Sequence, residues 1–167
     1  MDQVATSFDA DGGIVVGQDG SPQSSAAVRW AVHTADRLGC TVHVVRTWSL
    51  SSAPRPASWA PGYVPPLVDF EAAVLGELER DVAALDLHSD VPVVCHVLHG
   101  SPARRLLESC GRAQMLVVGS RGRGGFRGLV LGSTANQLVG HAAVPVVVVP
   151  VTAADASAEP DAGLRDR

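Results

Sequence analysis

Short apolar runs divide the chain at fairly even intervals. They are rich in valine and lie at residues 12–17, 41–48, 91–98, 114–119 and 144–150. Near-continuous apolar runs of this length are typical of parallel strands that are covered on both faces. Each run therefore predicts one buried β-strand.

The segments between these runs carry helical spacing. Ser21–Pro22 predicts an N-cap followed by proline at the first helical position, and Gly39 predicts the end of that helix. A second helix is expected from the spacing of Phe70, Val74, Leu78, Val82 and Leu85. Ser101–Pro102 repeats the cap pattern for a third helix, and a fourth is expected from about Ser133 to about Gly140.

The predicted order alternates strand and helix from end to end. Such an order indicates an α/β fold with a five-stranded parallel sheet, Rossmann-like and doubly wound, with helices on both faces. Ligands of such sheets bind beyond the carboxyl ends of the strands, where the strand order reverses. A site is therefore expected after Gly17, Arg46 and Gly119.

Composition indicates one folded domain. The chain has 167 residues, of which 46% are hydrophobic. We expect an N-terminal extension at 1–11, the folded domain at 12–150 and a disordered tail at 151–167, where large apolar residues are few. The N-terminus does not resemble a signal peptide and no apolar stretch is long enough to span a membrane, so a cytoplasmic protein without membrane contact is expected.

Charge narrows the classes of function. The net charge of −4 argues against nucleic acid as a partner. The chain contains no lysine. It therefore supports neither a Walker-A phosphate loop nor a pyridoxal Schiff base.

One glycine- and arginine-rich loop follows the fourth apolar run. Glycines let the backbone approach a ligand closely and adopt positive φ, and the start of a helix at Gly132–Ser133 can hold an anion. Arg121, Arg123 and Arg127 add positive charge nearby. A phosphate cradle is one interpretation; a flexible surface loop with a serine N-cap is the alternative.

The loop resembles the nucleotide-binding signature G-x2-G-x9-G-[ST] of the universal stress protein family. Gly119, Gly122, Gly132 and Ser133 match its spacing. The resemblance extends over about residues 12–150 and implies an adenine-nucleotide hydrolase-like fold that binds ATP, either alone or together with Mg²⁺. It also implies a homodimer through the last strand, Val146–Val149, since an unpaired apolar edge strand is prone to aggregate.

The resemblance implies roles for individual residues at the nucleoside end of the site. Asp19 matches an acidic position that contacts ribose or a metal-associated phosphate, although a turn-forming aspartate is the alternative. The backbone of Thr47 matches a position at the adenine edge, with a simple strand end as the alternative. Val118 matches an apolar position that packs near the base.

The remaining matched residues belong to the ribose and phosphate end. Those lining ribose and phosphates, largely through the backbone, are Gly119, Arg121 and Gly122, and those holding phosphate at the helix start are Gly132, Ser133 and Thr134. Arg123 and Arg127 lie in the variable part of the loop, where phosphate contact and exposure to solvent are both open. Glu77 and Glu79 are expected on a solvated helix face.

Three functions remain open from the sequence. The first is a regulatory stress-response protein that binds ATP with little or no rapid hydrolysis. The second is a slow ATP hydrolase that uses Asp19 and Mg²⁺. The third is an interaction or chaperone-like dimer whose site is empty or binds AMP or cyclic AMP.

Overall fold

The alternation of strands and helices is confirmed. The structure, a computed structural model, describes residues 4–123 and 130–150. Its strands are β1 to β5, at Ile14–Gly17, Val42–Trp48, Val93–His99, Met115–Gly119 and Val146–Val149. Its helices are α1 to α4, at Pro22–Leu38, Leu67–Ala83, Pro102–Ser109 and Ser133–His141. Arg127 and the predicted tail lie outside the described residues.

The five strands form one parallel sheet in the order β3-β2-β1-β4-β5. β1 pairs with β2 from Ile14↔Val42 onward and with β4 from Ile14↔Met115 onward. The chain therefore places β2 and β3 on one side of β1 and then β4 and β5 on its other side. This reversal between β1 and β4 places the expected ligand crevice next to Gly17 and Gly119.

Two apolar layers cover the sheet. Alternate residues of β1 belong to different layers: Ile14 and Val16 pack under α1 and α2, whereas Val15 packs under α3 and α4. All three side chains are fully buried. This explains why the first run reads as continuously apolar, since β1 is closed to water on both faces.

The ends of α1 form as the sequence predicts. The Ser21 hydroxyl accepts a hydrogen bond from Ser24 N, and Gly39 ends the helix with φ 64°. The second helix ends earlier than its apolar spacing suggests, at Ala83, but Leu85 is still buried and its carbonyl accepts from Arg29 at 2.6 Å. Among the helices that the structure describes, none is long and apolar enough to cross a membrane.

The N-terminal segment 4–11 packs on the sheet beside α3. The Phe8 ring stacks on His96, with centroids 3.9 Å apart, and His96 Nε2 lies 3.0 Å from His43 Nδ1. Arg112 forms an ion pair with Asp9 at 2.9 Å. This segment thus covers the part of β2 and β3 that α3 leaves open.

Candidate functional site

A cavity of about 420 Å³ opens at the carboxyl edge of the sheet, next to β1 and β4. This volume is within the usual range for small-molecule sites, about 300–1,000 Å³. All the site residues inferred from the sequence line this cavity: Asp19, Thr47, Val118, Gly119, Arg121, Gly122, Gly132, Ser133 and Thr134. They come from four separate segments, so the fold brings together residues that are far apart in the chain.

The floor of the cavity is apolar. Val45 and Val118 come from β2 and β4, and Leu106 comes from α3, which covers the same face of the sheet. Sequence reasoning missed Val45 and Leu106 because each reads as an ordinary core position. Together they provide a surface that suits a flat, weakly polar group.

Asp19 lies at the end of β1 and is held on both carboxylate oxygens. Oδ1 accepts from Ser21 N at 2.9 Å and Oδ2 accepts from Arg123 N at 3.0 Å. Burial would raise the pKa of Asp19, but the hydrogen bonds from Ser21, Arg123 and Ser24 outweigh it, so the pKa lies below its usual value. A charged carboxylate therefore faces the cavity, in a turn that also anchors the glycine loop.

The spacing of the glycine signature has a structural reason. Gly132 N donates to Ser120 O at 2.7 Å, and Ser120 N donates to Val149 O at 2.9 Å. The chain thus leaves the end of β4 at Ser120 and returns to it at Gly132. This closure puts the start of α4 directly beside the end of β4, within the cavity wall.

The signature glycines differ in what a side chain would meet. A Cβ on Gly119 would lie 2.9 Å from the backbone of Gln23, and one on Gly122 would lie 2.6 Å from Asp19 Oδ2. A Cβ on Gly132 would be at least 3.4 Å from its neighbours. None of these three glycines has positive φ, so the expectation of positive φ is wrong at these positions. Close approach of neighbouring atoms is the reason for glycine at Gly119 and Gly122, whereas Gly132 has room for a Cβ.

The start of α4 offers backbone donors that have no partner among residues 4–123 and 130–150. Its N-cap is Gly132, which has no side chain to accept from the first-turn N–H groups, and helix geometry gives these groups no partner within the helix. Ser133 and Thr134 occupy the first two helical positions. The positive end of the helix dipole and these donors form a site for an anion.

The start of α1 is different because the backbone N–H groups of the turn before it already have hydrogen-bond acceptors. Asp19 N donates to Ser24 Oγ, Gly20 N to Gln18 Oε1, and Ser21 N to Asp19 Oδ1. The Ser21 hydroxyl then caps the helix itself. Of these two helix starts, α4 is therefore the one that can hold an anion.

Arg46 was not expected to have an inward role. It is 6% exposed and forms ion pairs with Glu77 at 3.3 Å and Asp81 at 2.6 Å. Glu77 is therefore partly exposed and paired with Arg46, which corrects the expectation of a simply solvated residue, whereas Glu79 is exposed as expected. Sequence spacing gave no signal for this cluster, because Arg46 comes from β2 and its two carboxylate partners come from α2.

The fold and the cavity define a class: parallel α/β proteins with a ligand crevice where the strand order reverses, closed by a glycine loop and a helix start. A family model described as the universal stress protein family matches residues 13–150. The chain belongs to the universal stress protein family.

A curated relative is Universal stress protein Rv2005c of Mycobacterium tuberculosis (strain ATCC 25618 / H37Rv). It is 38% identical over 139 residues, which cover 81% of this chain and 44% of that protein. The chain therefore spans about half the length of the curated relatives it matches.

Two solved structures share the fold. One is a universal stress protein in complex with cyclic AMP, with a TM-score of 0.58, 23% identity, and coverage of 86% of this chain and 100% of that chain. The other is the universal stress protein from Archaeoglobus fulgidus in complex with dAMP, with a TM-score of 0.55, 18% identity, and coverage of 84% and 98%. At this level of identity the likeness shows the fold.

Proposed function

We propose that this chain binds an adenine nucleotide, with ATP as the first candidate, and acts as a regulatory stress-response sensor with little or no rapid hydrolysis. The observation that carries the proposal is one cavity that joins three features. It has an apolar floor, a charged carboxylate and an open helix start. These features suit a base, a ribose and phosphates, in that order.

The base and ribose fit the part of the cavity nearest the strands. Adenine lies over Val45 and Val118, with its edge toward the backbone of Thr47. The ribose hydroxyls donate to Asp19, whose pKa is lowered and whose oxygens each carry more than one lone pair. The existing bonds from Ser21 N and Arg123 N therefore do not prevent this contact.

The phosphates fit the part of the cavity nearest α4. Backbone N–H groups at Ser133 and Thr134 donate to phosphate oxygens, and the Ser133 hydroxyl adds a further donor. Arg121 and Arg123 line the same cavity and are exposed, so their guanidinium groups are able to reach an anion. Gly132 keeps the approach to the helix start free of side-chain atoms.

The cavity lacks the parts of a fast phosphoryl-transfer site among the residues that the structure describes. Asp19 is the one carboxylate among its lining residues. Groups of three or more metal-binding side chains are absent from residues 4–123 and 130–150. Slow hydrolysis with Asp19 and a nucleotide-bound Mg²⁺ is the enzymatic alternative.

A second candidate is a dimer that binds AMP or cyclic AMP instead of ATP. Two proteins of the same fold are described in complex with cyclic AMP and with dAMP. The apolar floor and Asp19 would serve a monophosphate equally well. The difference between the candidates therefore depends on the triphosphate contacts at the loop and α4.

Titration calorimetry on the whole chain tests the proposal with ATP, AMP, cyclic AMP and GTP. We expect ATP to bind and Gly132→Val to weaken binding strongly, because the valine would occupy the approach to the helix start. Gly140→Val is the matched control, since a Cβ there meets nothing within 4 Å.

Binding of cyclic AMP or AMP but not ATP would favour the second candidate, and binding of no nucleotide would refute the proposal. Asp19→Asn tests the enzymatic alternative. ATP turnover that vanishes in this variant would support a hydrolase.

A further inference from the structure

A buried arginine lies beneath the nucleotide cavity without lining it. The Arg46 side chain comes from β2, is buried, and contacts Gln18, which follows β1, and carboxylates on α2. Its Nε donates to Gln18 Oε1 at 3.0 Å, its Nη2 also donates to that oxygen, and Nη2 donates to Asp81 at 2.6 Å. A buried guanidinium requires such partners, because an unpaired charge in the core is strongly unfavourable.

Gln18 connects this cluster to the turn that carries Asp19. The residue lines the cavity but is only 4% exposed, and its Oε1 also accepts from Gly20 N at 3.1 Å. Only the amide oxygen can accept hydrogen bonds, so the donors on Arg46 and Gly20 fix the orientation of the amide group. Gly20 has φ 83°, a left-handed conformation that glycine adopts without steric cost.

The turn that contains Gly20 also holds the Asp19 carboxylate. Ser21 N, which follows Gly20, donates to Asp19 Oδ1, so the position of Gly20 and Ser21 determines where the Asp19 carboxylate points. The contacts therefore run from Asp81 and Glu77 on α2, through Arg46 and Gln18, to the turn. Each step is a hydrogen bond between groups that are mostly buried.

We infer that Arg46 and Gln18 are positioning residues that hold the Asp19 turn in its ligand-binding geometry and tie it to α2. Their expected effect on nucleotide affinity rests on the proposed function, because that effect depends on the contact between Asp19 and a nucleotide. The Arg46 guanidinium does not line the cavity. Its influence on a ligand is therefore indirect. If Arg46 and Gln18 only stabilised the fold, the changes in ATP affinity described below would not occur.

The test compares two changes at one position. Gln18→Met removes the acceptor but keeps the length of the side chain, whereas Gln18→Glu keeps an acceptor for both Arg46 and Gly20. Loss of one buried hydrogen bond corresponds to about a five- to tenfold change in affinity. We expect calorimetry with ATP to show that weakening for Gln18→Met and an affinity within about twofold of wild type for Gln18→Glu.

A double-mutant cycle separates positioning from direct contact. In an Asp19→Ala background, Gln18→Met should cause no further loss of ATP affinity, because its effect acts through Asp19. An equal loss in both backgrounds, or unchanged affinity for Gln18→Met, would overturn the inference. Arg46→Met should weaken ATP binding in the same direction as Gln18→Met.

Amide hydrogen exchange tests the same turn without any ligand. Gln18→Met should speed exchange at Gly20 N and Ser21 N, while Gln18→Glu should leave both rates close to wild type. Unchanged rates in Gln18→Met would overturn the inference even if ATP binds. Failure of wild type to bind ATP, with faster exchange in Gln18→Met, would instead refute the proposed function and leave the positioning of the turn supported.

Discussion

Replacing Gly119 tests whether close packing requires glycine at this position of the signature. In Gly119→Ala the new Cβ would lie 2.9 Å from the carbonyl carbon and oxygen of Gln23 and 3.0 Å from its Cβ. Favourable carbon contacts lie at about 3.5–4.0 Å, so the first turn of α1 would have to move away from β4 by roughly half an ångström. The carbon and oxygen are backbone atoms in a helix whose start is held by Ser21, so they yield less easily than a side chain would.

The size of the effect follows from two opposing contributions. Overpacking of this kind costs about 2 kcal/mol, whereas the lower entropy of the unfolded chain with alanine returns about 0.7 kcal/mol. The net loss of about 1.3 kcal/mol corresponds to a melting temperature lower by about 3–5 °C for a chain of this size. Gly76→Ala is the matched control, because a Cβ there meets nothing within 4 Å and the residue lies inside α2.

Differential scanning calorimetry on the two variants measures both effects. We expect Gly119→Ala to melt below wild type and Gly76→Ala to melt slightly above it, because alanine favours the helix by about 0.5–1 kcal/mol. Equal or higher stability of Gly119→Ala would refute the idea that close packing of α1 on β4 requires glycine at this position.

Three further predictions concern other parts of the molecule. Burial and the neighbouring His43 lower the pKa of His96 to about 4, so below about pH 6.5 the unfolded chain binds more protons than the folded chain. The free energy of unfolding, measured with urea, should therefore fall by on the order of 1 kcal/mol between pH 7.5 and 5, and by less in His96→Leu. Ser21→Ala should lower the free energy of unfolding by about 1 kcal/mol through loss of the N-cap, and Ser21→Asp should restore most of it; unchanged stability of Ser21→Ala would count against the cap. The β4–β5 register directs Val148 N outward, so Val148→Pro should yield monomers in analytical ultracentrifugation if β5 pairs with a second copy. Val148→Ala keeps that N–H and should remain dimeric. A dimeric Val148→Pro would exclude pairing at this edge.

The strands and helices could be predicted because a sheet buried on both faces leaves a strong local pattern. Strand ends were less accurate. The run at 91–98 becomes a strand at Val93–His99, because pairing with β2 decides where a strand begins and ends. The caps at Ser21 and Gly39 were predictable because they depend on a few neighbouring residues.

The candidate site was predictable where it depends on spacing within one loop. The distance from Gly122 to Gly132 reflects a closure between Ser120 and Gly132 that the chain makes locally. Arg46 could not be predicted, because its partners Gln18 and Asp81 come from other elements and a lone arginine in an apolar run carries no sign of them. The contact between His43 and His96 likewise depends on the register of β2 against β3, which no local pattern encodes.

A crystal structure of the chain with ATP would show the proposed binding mode itself. We expect adenine over Val45 and Val118, a ribose hydroxyl within hydrogen-bond distance of Asp19, and phosphate oxygens on the backbone N–H groups of Ser133 and Thr134. A nucleotide bound elsewhere, or a triphosphate that makes no contact with the start of α4, would contradict it.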